Sequence, residues 1–212
     1  MSYIETIAPD QASDEVREMY RRQQAHFGFL PNYARVFCHR PEVMASWASL
    51  LATIRRHVEP RRFELVTLAA ARALGNAYCS LAHGRALAGL VGEAEARAIA
   101  AGGEGSTLTA AERAMMAFAG QVARDAGSVT AGDVAHLRAQ GFADDEIFDI
   151  VAVAAARAFF TKMLDGLGAE PDAPFREVDA GLREALTVER PMATGPEGSD
   201  GGRMAEQVAP SQ

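Results

Sequence analysis

Apolar residues recur at three- and four-residue steps through almost the whole chain, the period of an α-helix. Ser13 can cap a first helix that carries Val16, Met19 and Tyr20 on one face and ends near Gly28. "FLPNY" reads as extended, because the residue before a proline avoids the α region. Pro41 opens a second helix in which Val43, Met44, Trp47, Leu50, Leu51 and Ile54 form one core-facing stripe. Pro60 opens a third, "PRRFELVTLAAARAL", apolar almost all round beyond its basic first turn except at Glu64, Thr67 and Arg72, the pattern of a buried helix. Gly75 breaks it, and a fourth runs from Asn76 to about Leu90. A short helix begins at Glu93, and Thr109 with Glu112 makes a capping box at the start of "TAAERAMMAFAGQVARDAG". "TAGDVAHLRAQG" and "ADDEIFDIVAVAAARAFFTKMLDGLG" complete the set, each with a polar start and a glycine stop. No window alternates with period two over a strand length, so the fold is expected to be all-α, a bundle of about eight helices.

From Thr187 onward the chain turns rich in Gly, Pro and Ser and poor in large apolar groups. Residues 1–186 are therefore expected to form one helical domain and 187–212 a disordered tail. A chain of 212 residues with 49% hydrophobic content is long enough for one substantial core. Its formal charge of −7 opposes nucleic-acid or anionic-membrane partners, which need a cationic surface. No apolar run approaches the roughly 20 residues of a membrane span, and the N-terminus lacks the basic and apolar regions of a leader, so a cytoplasmic location is expected. Two cysteines, Cys38 and Cys79, make no disulfide framework and should be thiols in a reducing compartment.

The candidate chemistry lies in "GNAYCSLAHG". With Asn76 as N-cap, its side chain can accept the backbone N–H of Cys79, which then sits in the first helical turn. Unpaired N–H groups and the macrodipole stabilise a thiolate there, and the thiolate is the reactive form of cysteine. His83 lies one turn further on the same face, in reach of a proton from the sulfur. Glu64, a lone carboxylate in the apolar helix directly upstream, is the candidate to orient the imidazole. The same residues also admit a plainer reading, a buried cysteine packing as a small hydrophobe beside a hydrogen-bonded histidine. Metal binding by Glu64, Cys79 and His83 lacks a fourth ligand at a paired spacing, and no metal or cofactor is expected. Cys38 stands next to His39 and Arg40, but adjacent residues point in different directions. It reads as structural, or alternatively as a distant resolving thiol.

A glutamate followed twelve residues later by the start of a C-x-x-C-x-x-x-H segment resembles the signature of the carboxymuconolactone decarboxylase and AhpD-like alkylhydroperoxidase superfamily. Glu64, Asn76, Cys79 and His83 occupy those spacings, and "FGFLPNYARVFCHRPEVMASWASLL" and "LRAQGFADDEIFDIVAVAAARAFFTKMLDGLG" look like flanking parts of the same family. The resemblance spans roughly residues 20 to 170 and implies an AhpD-like helical bundle. It also implies a peroxidase cycle in which the His-side thiol reduces peroxide and the first motif cysteine resolves the sulfenic acid. Here Asn76 replaces that first cysteine, so resolution would fall to an external thiol.

Two classes of function remain open on these residues. One is a thiol-dependent peroxidase-like oxidoreductase with Cys79 as nucleophile, His83 as base and Glu64 as relay, acting on a peroxide. The other is an acid–base lyase, decarboxylase or isomerase on a small carboxylated or lactone substrate, in which Cys79 only lines the site. The alanine- and leucine-rich helices and the resemblance both imply a homo-oligomer, a trimer or a hexamer of trimers.

Overall fold

The computed structural model describes residues 2–188. Ten α-helices are formed among these residues: α1 (Asp14–Phe27), α2 (Asn32–Val36), α3 (Pro41–Arg55), α4 (Pro60–Ala73), α5 (Ala77–Val91), α6 (Glu93–Ala100), α7 (Ala110–Asp125), α8 (Ala131–Ala139), α9 (Asp144–Leu167) and α10 (Ala180–Leu186). The all-α expectation holds. Two helices exceed the expected eight, because α2 and α10 are only 5 and 7 residues long and show too few turns to reveal a period. Pro31 does keep an extended backbone, yet it is the N-cap of α2, so Asn32 and Tyr33 of "FLPNY" are helical. Residues from 189 onward, most of the expected tail, lie outside the described residues.

The helix ends follow their capping residues. Ser13 accepts the Val16 N–H, Thr109 and Glu112 close a reciprocal capping box, and Gly28 ends α1 at a φ of 78°. Pro41 and Pro60 occupy first-turn positions of α3 and α4, where a missing N–H costs nothing.

Helix α4 is the centre of the bundle, packed against α5, α7 and α9. Phe63, Glu64, Leu65, Val66, Thr67, Leu68, Ala70 and Ala71 are all buried, as expected of a helix apolar on every face. Each large aliphatic chain there contributes roughly 1.5–3 kcal/mol through removal from water. Helix α3, which lies against α9, departs from its expected stripe: only Met44 is buried, Trp47, Leu51 and Ile54 are partly covered, and Val43 and Leu50 are 37% and 54% exposed. Helix α10 returns to α5 and α6, where Leu186 packs on Gly84. No helix among the described residues is long and apolar enough to cross a membrane.

Candidate active site

The site forms where α4 turns back into α5. Gly75 takes a φ of 69° in that turn, a left-handed conformation that glycine adopts without a Cβ penalty. Asn76 then caps α5, its Oδ1 accepting the Cys79 N–H at 2.7 Å. Its Nδ2 donates to Asp165 Oδ1 at 2.8 Å, which ties the start of α5 to α9. Both Asn76 and Cys79 are buried, so this cap fixes the backbone beneath the sulfur.

On the two arms of the hairpin, Glu64 Oε2 of α4 lies 2.7 Å from His83 Nδ1 of α5. With the carboxylate ionised, Nδ1–H is the donor and the lone pair is left on Nε2, a tautomer assigned from this hydrogen bond. Burial pushes the imidazole pKa below its ordinary value, the Arg157 charge pushes the same way, and Glu64 opposes both. The imidazole is thus neutral at neutral pH and able to accept a proton.

The Cys79 sulfur faces α9. Thr161 Oγ1 donates to it at 3.5 Å and Arg157 Nη1 at 3.8 Å, and both residues are buried. The guanidinium lies over the rings of Trp47 and Phe160, at 5.6 and 5.5 Å from their centroids. Trp47 stacks on Phe160 and donates its indole N–H to the Ala156 carbonyl, so the aromatic seat of Arg157 is itself fixed. No carboxylate pairs with Arg157 among the described residues. Arg157 and Thr161 were not among the residues expected from the sequence, although the signal that marked Glu64 was present: one charge inside the apolar run "IVAVAAARAFF".

The relay expected from sequence is therefore half assembled by hydrogen bonds. Glu64 and His83 are joined, while His83 and Cys79 stand one turn apart on α5 with no hydrogen bond between them. Cys38 belongs to a different neighbourhood: it is buried, its sulfur accepts the Ile7 N–H at 3.3 Å, and His39 and Arg40 turn to backbone carbonyls of Glu5 and His39. Both cysteines are free thiols. Among the described residues no group of three or more His, Cys, Asp or Glu is placed to hold a metal ion.

Beside Cys79 in sequence, Tyr78 donates its hydroxyl to Asp172 Oδ2, and Asp172 Oδ1 accepts the Asn32 N–H at 2.7 Å. Burial raises the Asp172 pKa to about 6, against the lowering effect of these donors. This carboxyl pins the segment after α9 to the start of α2 and the first turn of α5.

Residues 41–119 match the model of the carboxymuconolactone decarboxylase family. No curated protein matches the sequence. Among solved structures, a peroxidase-related protein from Ralstonia eutropha JMP134 with an alkylhydroperoxidase AhpD core superposes with a TM-score of 0.68 at 24% identity, over 82% of this chain and 94% of its own. A peroxidase-related protein from Silicibacter sp. TM1040 gives a TM-score of 0.68 at 21% identity, over 77% and 87% of the two chains. The debrominase Bmp8, in a cysteine-to-alanine variant complexed with 2,3,4-tribromopyrrole, gives 0.70 at 19% identity over 87% and 100%. These likenesses show a common fold. The segment matched by the carboxymuconolactone decarboxylase family model contains Glu64, Asn76, Cys79 and His83, and the chain shares the fold of the AhpD-core and peroxidase-related structures.

Proposed function

We propose that the protein is a thiol-dependent, peroxidase-like oxidoreductase in which Cys79 is the nucleophile and Glu64 and His83 move its proton. The observation that carries this reading is the placement of Cys79 at a capped helix start, with two donors on its sulfur and a neutral, Glu64-bound imidazole one turn away. In the reaction the thiol proton passes to His83, sulfur attacks the terminal oxygen of a hydroperoxide, the S–O bond forms and the O–O bond breaks. The departing oxygen takes the proton from His83, leaving an alcohol or water and a Cys79 sulfenic acid. Asn76 has no thiol to resolve that acid, so an external thiol condenses with it, releasing water, and a second thiol frees Cys79 as a disulfide leaves.

The test is exposure to stoichiometric hydroperoxide followed by peptide mass spectrometry. A single added oxygen on Cys79, removed by a small thiol and lost in Cys79→Ser, supports the reading, and an unmodified Cys79 sinks it. A second reading, an acid–base lyase or isomerase acting on a small organic acid, is favoured by Asn76 in place of a resolving thiol and by the Glu64–His83 pair, which needs no sulfur to move protons. Proton exchange or decarboxylation that survives in Cys79→Ser would identify it.

A further inference from the structure

Among the described residues, Arg157 is a buried cation without a counter-ion. Its Nε is buried and has no hydrogen-bond partner, its Nη1 reaches only the Cys79 sulfur, and no carboxylate lies within ion-pair distance among the described residues. A guanidinium does not give up its proton in a protein, so its charge must be met where it lies. The rings of Trp47 and Phe160 meet part of it and hold the group in place. An uncompensated buried charge is costly, and such a cost is retained where a reaction step supplies the missing anion.

We infer that Arg157 is a further catalytic residue of this site, with Thr161 beside it, and that its guanidinium stabilises the oxygen anion that departs when a hydroperoxide is cleaved at Cys79. The inference rests on the thiol reading above and extends it to a residue outside the Glu64–His83 relay. As Cys79 sulfur takes the terminal oxygen, the O–O electron pair leaves on the other oxygen as an alkoxide or hydroxide, until the proton held by His83 reaches it. That transient negative charge develops next to the sulfur, where Nη1 of Arg157 already points at 3.8 Å. The contact to sulfur is long and weak, whereas a charge-assisted bond to an oxygen anion is short and strong, so the guanidinium gains more from the departing oxygen than from the resting thiol. Stabilisation that is stronger in the transition state than before it is what accelerates a step. Thr161, whose hydroxyl donates to the same sulfur from the next turn of α9, keeps the nucleophile on the Arg157 side.

The experiment compares two electrophiles on one sulfur. Second-order rates of Cys79 with hydrogen peroxide and with iodoacetamide are measured in the wild type, Arg157→Met and Arg157→Lys, with thermal melting to confirm folding. Loss of charge beside a thiol slows both reagents alike, whereas loss of an oxyanion donor slows only the peroxide. The expected result is a fall of about 10²-fold in the peroxide-to-iodoacetamide ratio for Arg157→Met, the scale of removing one oxyanion donor, and partial recovery in Arg157→Lys. An unchanged ratio in Arg157→Met overturns the role of Arg157 alone. If Arg157→Met does not fold, the ratio in Arg157→Lys decides instead: a single point charge in place of the planar guanidinium should lower it, and a wild-type ratio overturns the inference. A wild-type Cys79 that gains no oxygen overturns both this inference and the thiol reading.

Discussion

Glu64 and His83 come from successive helices, 19 residues apart in sequence, with a carboxylate oxygen 2.7 Å from Nδ1. Because burial and Arg157 depress the imidazole pKa while Glu64 raises it, the carboxylate sets how far the depression goes. In Glu64→Gln the raising charge is gone and the pKa should fall further. The acid limb of the rate of Cys79 with peroxide should lie below the ordinary histidine value of about 6.5 in the wild type and move lower still in the variant. The plateau rate should drop roughly 10²-fold, because the imidazole is less well oriented and less basic. A limb that moves upward contradicts this electrostatic account.

Asp172 offers a stability measurement with the opposite sign to an ordinary aspartate. Its folded pKa of about 6 lies above the unfolded value near 3.9, so the folded chain binds the extra proton. Stability from this group is full below about pH 4 and is lost as pH rises through about 6. Asp172→Asn keeps an acceptor for the Asn32 N–H and carries no charge. The melting temperature of the variant minus that of the wild type should therefore climb between pH 4 and 7. His83, with a depressed pKa, works the other way and loses stability as pH falls below its unfolded value near 6.5. It is common to both proteins and cancels in the difference. A difference that stays flat would refute the Asp172 assignment.

Gly84 stands next to His83, and a Cβ there would lie 2.8 Å from Leu186 Cγ and closer still to its two methyl carbons. Leu186 is fully buried and cannot swing into solvent, so Gly84→Ala must push α10 off α5. Overpacking of this kind costs roughly 1–3 kcal/mol. Chemical denaturation should show that loss, and Leu186→Ala introduced into the Gly84→Ala background should make the second change less costly than it is alone. Strict additivity would mean that the two residues do not share the contact.

Asn76→Cys places a thiol at the cap, three residues before Cys79. It removes the side-chain bonds to the Cys79 N–H and Asp165, at a cost of about 0.5–2 kcal/mol. If Cys79 forms a sulfenic acid, the new thiol should resolve it as a 76–79 disulfide and give turnover with a dithiol reductant. A folded variant that forms the sulfenic acid yet no disulfide would show that the cap geometry holds the two sulfurs apart.

Much of this was legible in local signals and the remainder depended on tertiary packing. Ser13, Asn76 and Thr109 cap their helices as short-range hydrogen-bond chemistry requires, and the pairing of Glu64 with His83 follows from two helices joined by a tight turn. Arg157 was hidden by distance, 78 residues from Cys79, since no periodicity tells which face of α9 meets α5. Its context nonetheless resembles that of Glu64: a single charge in a run that is otherwise apolar must be buried with a purpose or turned outward. The α3 stripe is apolar, as its period says, but not wholly internal, because amphipathicity reports that a face avoids water without saying what covers it.

That exposed stripe motivates the last prediction. On α9, Phe148, Val151 and Phe159 are 71%, 37% and 42% exposed, and on the neighbouring α3 Val43 and Leu50 are 37% and 54% exposed. Residues 148, 151 and 159 fall on one side of a helix with 3.6 residues per turn, so these are not scattered surface groups. Contiguous apolar surface on a folded chain marks an interface more often than a solvated face. We expect a homo-oligomer, a trimer or a pair of trimers, with this surface buried between copies. Multi-angle light scattering should return a multiple of the 22.6 kDa chain mass at micromolar concentration, and Phe148→Glu should lower it. An oligomer that survives Phe148→Glu and Leu50→Glu together would place the interface elsewhere, and a wild-type mass of one chain would remove it.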